Sequence, residues 1–193
     1  MNKRELIINA AIKVFARDGL EKGKIADIAT EAGIGKGTVY EYFRRKEDIF
    51  QAIEHYVFTD FNLIFDQLNS SSLTPPQKLT TLMENALDMF MEMGDVLLIL
   101  MELWAQAGRG HVHGSAPSLF VEYYESYRMS VENILEDGIQ SGVFRDMNKE
   151  GVATLLLAFM DGLVWQFVMI NDPEKFNRVK SEAIKSFMRG ILK

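Results

Sequence analysis

The segment 25–49, IADIATEAGIGKGTVYEYFRRKEDI, constrains the fold of this chain more than any other. Ile25, Ile28, Ala29 and Ala32 recur at helical spacing, so residues 25–32 have one apolar face. Gly33 follows where a helix end calls for left-handed backbone, which glycine adopts at no steric cost. Ile34 plugs the gap before a second helix that starts at Gly35 or Lys36, and Val39, Tyr40 and Phe43 carry the apolar spacing to about residue 43. Two short helices on a tight glycine turn are the helix-turn-helix signature.

The chemistry of the second helix points to double-stranded DNA. Its start, Gly35-Lys36-Gly37-Thr38, carries little bulk, so backbone can come close to base edges. Lys36 can donate to guanine acceptors and Thr38 can reach a base or a phosphate. Tyr40 and Tyr42 offer hydroxyls to phosphate oxygens, and Arg44, Arg45 and Lys46 follow directly. Lys46 also stands near the start of the next helix, where the helix dipole favours an anion. A charge run is usually a solvated face, but this one continues from a helix whose exposed start is nearly free of acids.

Residues 4–50 resemble the DNA-binding domain of the tetracycline-repressor (TetR) family. RELIINAAIKVFARDG matches the family's opening helix, which ends in Phe-Ala-x-x-Gly. IADIATEAGIGKGTVYEYFRRKEDIF matches its core: Ile-Ala, Ala-Gly-Ile/Val, Gly-Thr-x-Tyr-x-x-Phe, then Lys-Glu. Two positions depart from the pattern. Lys24 stands where the family usually has a capping threonine that touches phosphate; it offers a cation instead, while Asp27 remains where a capping box would place its acid. Gly35 stands where the family often has serine, and glycine is an acceptable N-cap. The DNA-contacting set expected is therefore Lys24, Lys36, Gly37, Thr38, Tyr40, Tyr42 and Lys46.

The net charge of −6 is at first sight wrong for a polyanion's partner. Its distribution resolves the conflict. Residues 1–48 hold ten Lys+Arg against eight Asp+Glu, whereas residues 49–193 hold eleven against nineteen. An acidic remainder disfavours nonspecific contact and turns the basic end toward DNA. The expected domains are accordingly 1–48, binding DNA, and 49–193, binding ligand and dimerising. The absence of cysteine excludes disulfides and thiolate metal sites and fits a cytoplasmic protein. His111 and His113 in a glycine loop, with no third ligand nearby in sequence, are weak metal candidates, and no metal or cofactor is expected. The opening segment has no signal-peptide pattern. The longest apolar runs, 96–101 and 155–160, fall well short of the ~18 residues of a membrane span, so no membrane partner is expected.

Helical periodicity continues to the C-terminus, giving an all-α chain of nine helices, the number the resemblance also implies. A fourth helix runs from 47 to 68, a fifth from Thr74-Pro75 to 93, a sixth over 95–107, a seventh over 118–140, an eighth over 149–171 and a ninth over 174–192. Residues 108–117, GRGHVHGSAP, read as a loop. The eighth helix is apolar around much of its girth, through Ala153, Leu156, Leu157, Met160, Leu163, Val164, Phe167 and Val168, so it needs cover on more than one side. The ninth has its own apolar stripe. The resemblance implies that these two helices pair with those of a second copy, as a homodimer.

The middle helices are rich in Met and aromatic residues. Any one of them is more often core than site. Collectively, and as the resemblance implies, they form a pocket for a small hydrophobic ligand, with Phe90, Met101, Trp104, Tyr123, Tyr127 and Trp165 as candidate lining. Two acids, Glu102 and Asp161, sit in apolar surroundings; they are either ligand anchors or, the better reading, paired to Arg128, a tyrosine or a helix end. The expected function is a ligand-responsive regulator, a repressor released from a palindromic operator. An architectural DNA-binding protein without a ligand is the alternative. An enzyme is disfavoured by the absence of a nucleophile elbow, P-loop, dinucleotide glycine pattern or metal cluster.

Overall fold

A computed structural model describes residues 2–108, 119–170 and 172–193; the side chains of 57–62, 69, 103–104, 106–108 and 119–120 lie outside the described set. Among the described residues there are nine α-helices: α1 (Lys3–Asp18), α2 (Ile25–Glu31), α3 (Lys36–Tyr42), α4 (Lys46–Ser70), α5 (Pro75–Glu92), α6 (Asp95–Gly108), α7 (Leu119–Gln140), α8 (Lys149–Ile170) and α9 (Pro173–Ile191). The expected all-α class holds, and helix bounds differ from the expected ones by a residue or two, as helix ends do. The described residues contain no strand, only an isolated bridge between Phe144 and Leu192.

The helix ends follow from local chemistry. Asn2 caps α1 in a full capping box: its Oδ1 accepts from the Glu5 N–H at 2.9 Å and Glu5 Oε2 accepts from the Asn2 N–H at 3.0 Å. α2 ends at Gly33, whose φ of 65° is left-handed, and the Ile34 N–H returns to the Ala29 carbonyl at 3.0 Å. Space is open around Gly33, so backbone conformation alone calls for glycine there. Thr74 opens α5 with its N–H donating to Gln77 Oε1 at 2.9 Å, and Asp172 opens α9 by accepting from the Lys175 N–H at 3.0 Å, with Pro173 in the first turn.

The chain divides into two compact units, Met1–Asp60 with Met93–Tyr123, and Phe61–Glu92 with Tyr124–Lys193. In the first, α1 packs against α2 and α6, and α2 against α3. Its core joins Ile7, Ala11, Val14, Phe15 and Leu20 to Ile28, Val39, Phe43, Ile49 and Ile53, with Ile99 of α6 completing it. In the second, α5 packs on α8 and α9. Phe144 is fully buried and lies over Gly138 so closely that a Cβ there would stand 1.9 Å from its ring.

α8 is more apolar over its whole length than its longest unbroken run suggests. Its longest unbroken apolar run is short because Asp161 interrupts it, yet the whole 22-residue helix is long and apolar enough to cross a membrane by length and composition. One face is accounted for within the chain, where Ala153, Leu156, Met160, Leu163 and Val164 are buried. Leu155 (60% exposed), Met169 (71% exposed) and Ile170 lie outside that face.

Candidate nucleic-acid interface

α3 presents the expected side chains outward. Val39 and, just beyond the helix, Phe43 are buried, while Lys36, Gly37, Tyr40, Glu41 and Tyr42 are exposed and Thr38 is half-buried. Tyr40, which the sequence placed both in the apolar spacing and among the DNA-contacting residues, is 46% exposed, a surface residue one helical turn from Lys36. The Lys36 ammonium lies 5.8 Å from the centre of the Tyr40 ring, a cation–π contact at i,i+4 spacing. Gly37 has open space where a Cβ would go. No side-chain hydrogen bond caps α2 at Lys24, in keeping with the loss of a capping hydroxyl there.

An open groove of about 980 Å³ adjoins this surface, lined by Lys24, Lys36, Tyr40 and Lys46, with Arg17, Lys22 and the acids Asp18, Glu21 and Asp27. Four of the seven expected DNA-contacting residues therefore share one concavity. Lys22 is an exposed cation that sequence reasoning passed over; the signal was the alternation Glu21-Lys22-Gly23-Lys24 between two helices. Arg17 spends its charge locally, its guanidinium donating to both Asp18 oxygens at 3.0 and 2.9 Å, and this bonding holds the Asp18 carboxyl below its usual range.

Lys46 is the first residue of α4. Its Nζ donates to the Glu21 carbonyl at 2.9 Å and lies 5.6 Å from the ring centres of both Phe15 and Phe50. Partial burial pushes its pKa down, against the opposing charges of Glu47, Glu102 and Glu21. Arg45 ends in a local arrangement too: its N–H donates to Asp48 Oδ2 at 3.0 Å and its guanidinium lies 3.4 Å from Oδ1. Arg4 of α1 lies over the Phe43 ring at 5.2 Å.

The candidate ligand-lining residues are spread over both units. Met101 and Tyr123 belong to the first and are half-buried; Phe90, half-buried, Tyr127, fully buried, and Trp165, exposed, belong to the second. The Trp104 side chain, His111 and His113 lie outside the described residues. Tyr127 meets Phe65 edge-on at 5.0 Å. Of the two acids singled out in the sequence, Asp161 has a partner of an expected kind, a tyrosine, whereas Glu102 bonds a turn peptide that the sequence reading did not name. Asp161 accepts from the Tyr124 hydroxyl, and Glu102 Oε2 accepts from the Leu20 N–H at 2.8 Å. Arg128 pairs instead with Glu125 and Glu132 on its own helix. Among the described residues no cluster of three metal-ligating side chains occurs.

Two short helices on a left-handed glycine, an exposed second helix with lysine, glycine and tyrosine at its face, and an adjoining basic groove define a helix-turn-helix DNA-binding regulator. The chain belongs to the tetR family of bacterial regulatory proteins. The family model for bacterial regulatory proteins, tetR family, matches residues 7–53, and the model for the QacR-like protein C-terminal region matches residues 114–193. The chain is 24% identical over 187 residues to the fatty acid metabolism regulator protein of Bacillus subtilis (strain 168), covering 96% of this chain and 93% of that one. Its fold is also that of a TetR transcription regulator from Haloarcula marismortui, with a TM-score of 0.81, 24% identity and coverage of 99% and 98%. FadR from Bacillus subtilis, solved in complex with stearoyl-CoA, superposes with a TM-score of 0.73 at 21% identity and coverage of 97% and 98%.

Proposed function

We propose that this protein is a cytoplasmic transcriptional repressor that binds a palindromic operator as a homodimer and leaves it when a small hydrophobic ligand binds. The observation that carries the DNA-binding half is the exposed face of α3, where Lys36, Gly37, Thr38, Tyr40 and Tyr42 stand on a buried Val39–Phe43 footing. Lys36 and Thr38 read base edges; Tyr40, Tyr42, Lys24 and Lys46 contact phosphates. Residues 1–48 act as the DNA-binding domain and 49–193 as the ligand-binding and dimerisation domain.

The exposed apolar residues of α8, Leu155, Met169 and Ile170, support pairing through α8 and α9 with a second copy. Two recognition helices reach successive major grooves only when their centres are about 34–36 Å apart. A ligand that binds the ligand-binding domain and prefers another tilt of α4 changes this spacing. It must bind the DNA-incompetent state more tightly, because a ligand with equal affinity for both shifts nothing.

Similarity to the fatty acid metabolism regulator, and to the fold of a regulator solved with stearoyl-CoA, supports a long-chain acyl compound as the ligand. The test begins with selection of a duplex from a random pool by the protein, followed by fluorescence anisotropy of that duplex during titration with stearoyl-CoA. A palindromic consensus released by the acyl compound is the expected result. Tight binding that stearoyl-CoA, other long-chain acyl compounds and aromatic drugs all leave unchanged would overturn the ligand half while keeping the DNA-binding half.

A further inference from the structure

The turn that leads from α1 into α2 is gripped by two distant helices. Gly19 leaves α1 with a φ of 82°, a conformation L side chains rarely adopt. Leu20 then buries its side chain in the core, while its part-buried N–H finds an acceptor outside the turn. That acceptor is Glu102 Oε2 of α6, at 2.8 Å and 82 residues away in sequence. The next residue, Glu21, gives its carbonyl to Lys46 Nζ at the start of α4, at 2.9 Å. A carboxylate and an ammonium from two helices thus hold backbone groups of two consecutive residues of one turn, each through a charge-assisted bond.

Beyond Glu21 the path to the DNA-facing residues is short and tight. The Gly23 N–H bonds to the Gly19 carbonyl at 3.0 Å, and a Cβ at Gly23 would stand 2.6 Å from the Phe15 ring. Lys24, the N-cap of α2, is the next residue. A turn this confined cannot shift at Leu20 without moving Lys22 and Lys24 in the groove.

We propose that Glu102 is a positioning residue for DNA binding: from α6 it fixes the Gly19–Glu21 turn, and through it the start of α2 and the groove lysines, without touching DNA. The inference rests on the DNA-binding reading above. It assigns α6 a specific means of control, since any event that draws Glu102 off the Leu20 N–H releases the turn from one of its two holds.

Glu102→Gln keeps a carbonyl oxygen for the Leu20 N–H, whereas Glu102→Ala removes the acceptor. The full-length protein and both variants are compared, well below their melting temperatures, on the duplex selected by the wild type and on an unrelated duplex of equal length. Glu102→Ala is expected to lose about tenfold in affinity for the selected duplex, within the ~5–150-fold range of ordinary site coupling. Its affinity for the unrelated duplex should fall as well, since the displaced Lys24 is a proposed phosphate contact, and Glu102→Gln should match the wild type on both. Hydrogen exchange at the Leu20 amide should accelerate in Glu102→Ala alone. Wild-type affinity in Glu102→Ala would overturn the inference. So would a loss on both duplexes that tracks a fall in melting temperature, which would make Glu102 merely structural. A wild type that selects no duplex would instead overturn the DNA-binding reading itself, and this inference with it.

Discussion

The Tyr124 hydroxyl stands 2.9 Å from both carboxylate oxygens of Asp161, so a single donor from α7 serves an acid set in the apolar middle of α8. Burial raises the Asp161 pKa from 3.8 to about 6, and the Tyr124 bond opposes that rise. Tyr124 and Tyr127 are themselves pushed above the ordinary tyrosine range, first by burial and then by the Asp161 charge. A carboxyl whose folded pKa exceeds its unfolded value binds its proton more tightly when folded. Its contribution to stability is therefore greatest below the unfolded pKa and is lost as pH rises through about 6. Asp161→Asn should flatten the fall in melting temperature between pH 4 and pH 7, and thermal melts across that range check it. Tyr124→Phe should steepen the same fall, because the charged form loses the hydroxyl that donates to it.

Gly37 stands exposed near the start of α3 with open space around its Cα. Gly37→Ala should leave the fold intact or stabilise it, by up to roughly 0.5–1 kcal/mol, since alanine loses less entropy in a helix. Operator affinity should nevertheless fall, because the methyl group projects from the face proposed to approach base edges. Lys36→Ala should cost roughly 1–3 kcal/mol at the operator with unchanged melting. Paired melting and anisotropy measurements separate the two effects.

Lys24→Thr exchanges a cation for a capping hydroxyl. α2 lacks a side-chain cap, so the variant should be more stable by roughly 0.5–2 kcal/mol. If Lys24 neutralises one phosphate, the slope of log affinity against log salt should become shallower by about 0.9. A salt series on wild type and variant reads this directly, and an unchanged slope would remove Lys24 from the phosphate contacts.

Leu155 is the better probe of the proposed dimer. Phe187 of α9 stacks on Phe159 within the chain, ring centres 5.8 Å apart, so a charge there would pry α9 from α8 before it reported on pairing. Leu155 is exposed, and Leu155→Glu should leave the protomer folded while burying an unpartnered charge in any α8-mediated interface. Sedimentation should show a dimer in the wild type and a monomer in the variant, with operator affinity falling alongside. A dimeric variant would move the interface away from Leu155.

What the sequence disclosed was local. Gly33, Thr74-Pro75 and Asp172-Pro173 punctuate helices through their own backbone preferences, so element order could be read directly. The outward face of α3 was readable because Val39 and Phe43 mark its inner one. Tyr40 was readable both ways, because an aromatic ring fits either a stripe or a surface, and only packing decides. The partners of Lys46 and Glu102 were out of reach for another reason. Each bonds to a backbone group, 25 and 82 residues away, and a backbone group carries no signature of its residue type.

Ile99 and the half-buried Val96, both on α6, complete a core otherwise built from residues 7–53. The reading head is therefore not a detachable cassette. A chimera that grafts residues 1–60 onto another regulator's body inherits a socket shaped for this α6, and a foreign helix would have to supply both the isoleucine and the carboxylate that meets Leu20. Exchange of operator specificity between such proteins thus has a seam that crosses the chain twice, and α6 would have to change along with the head.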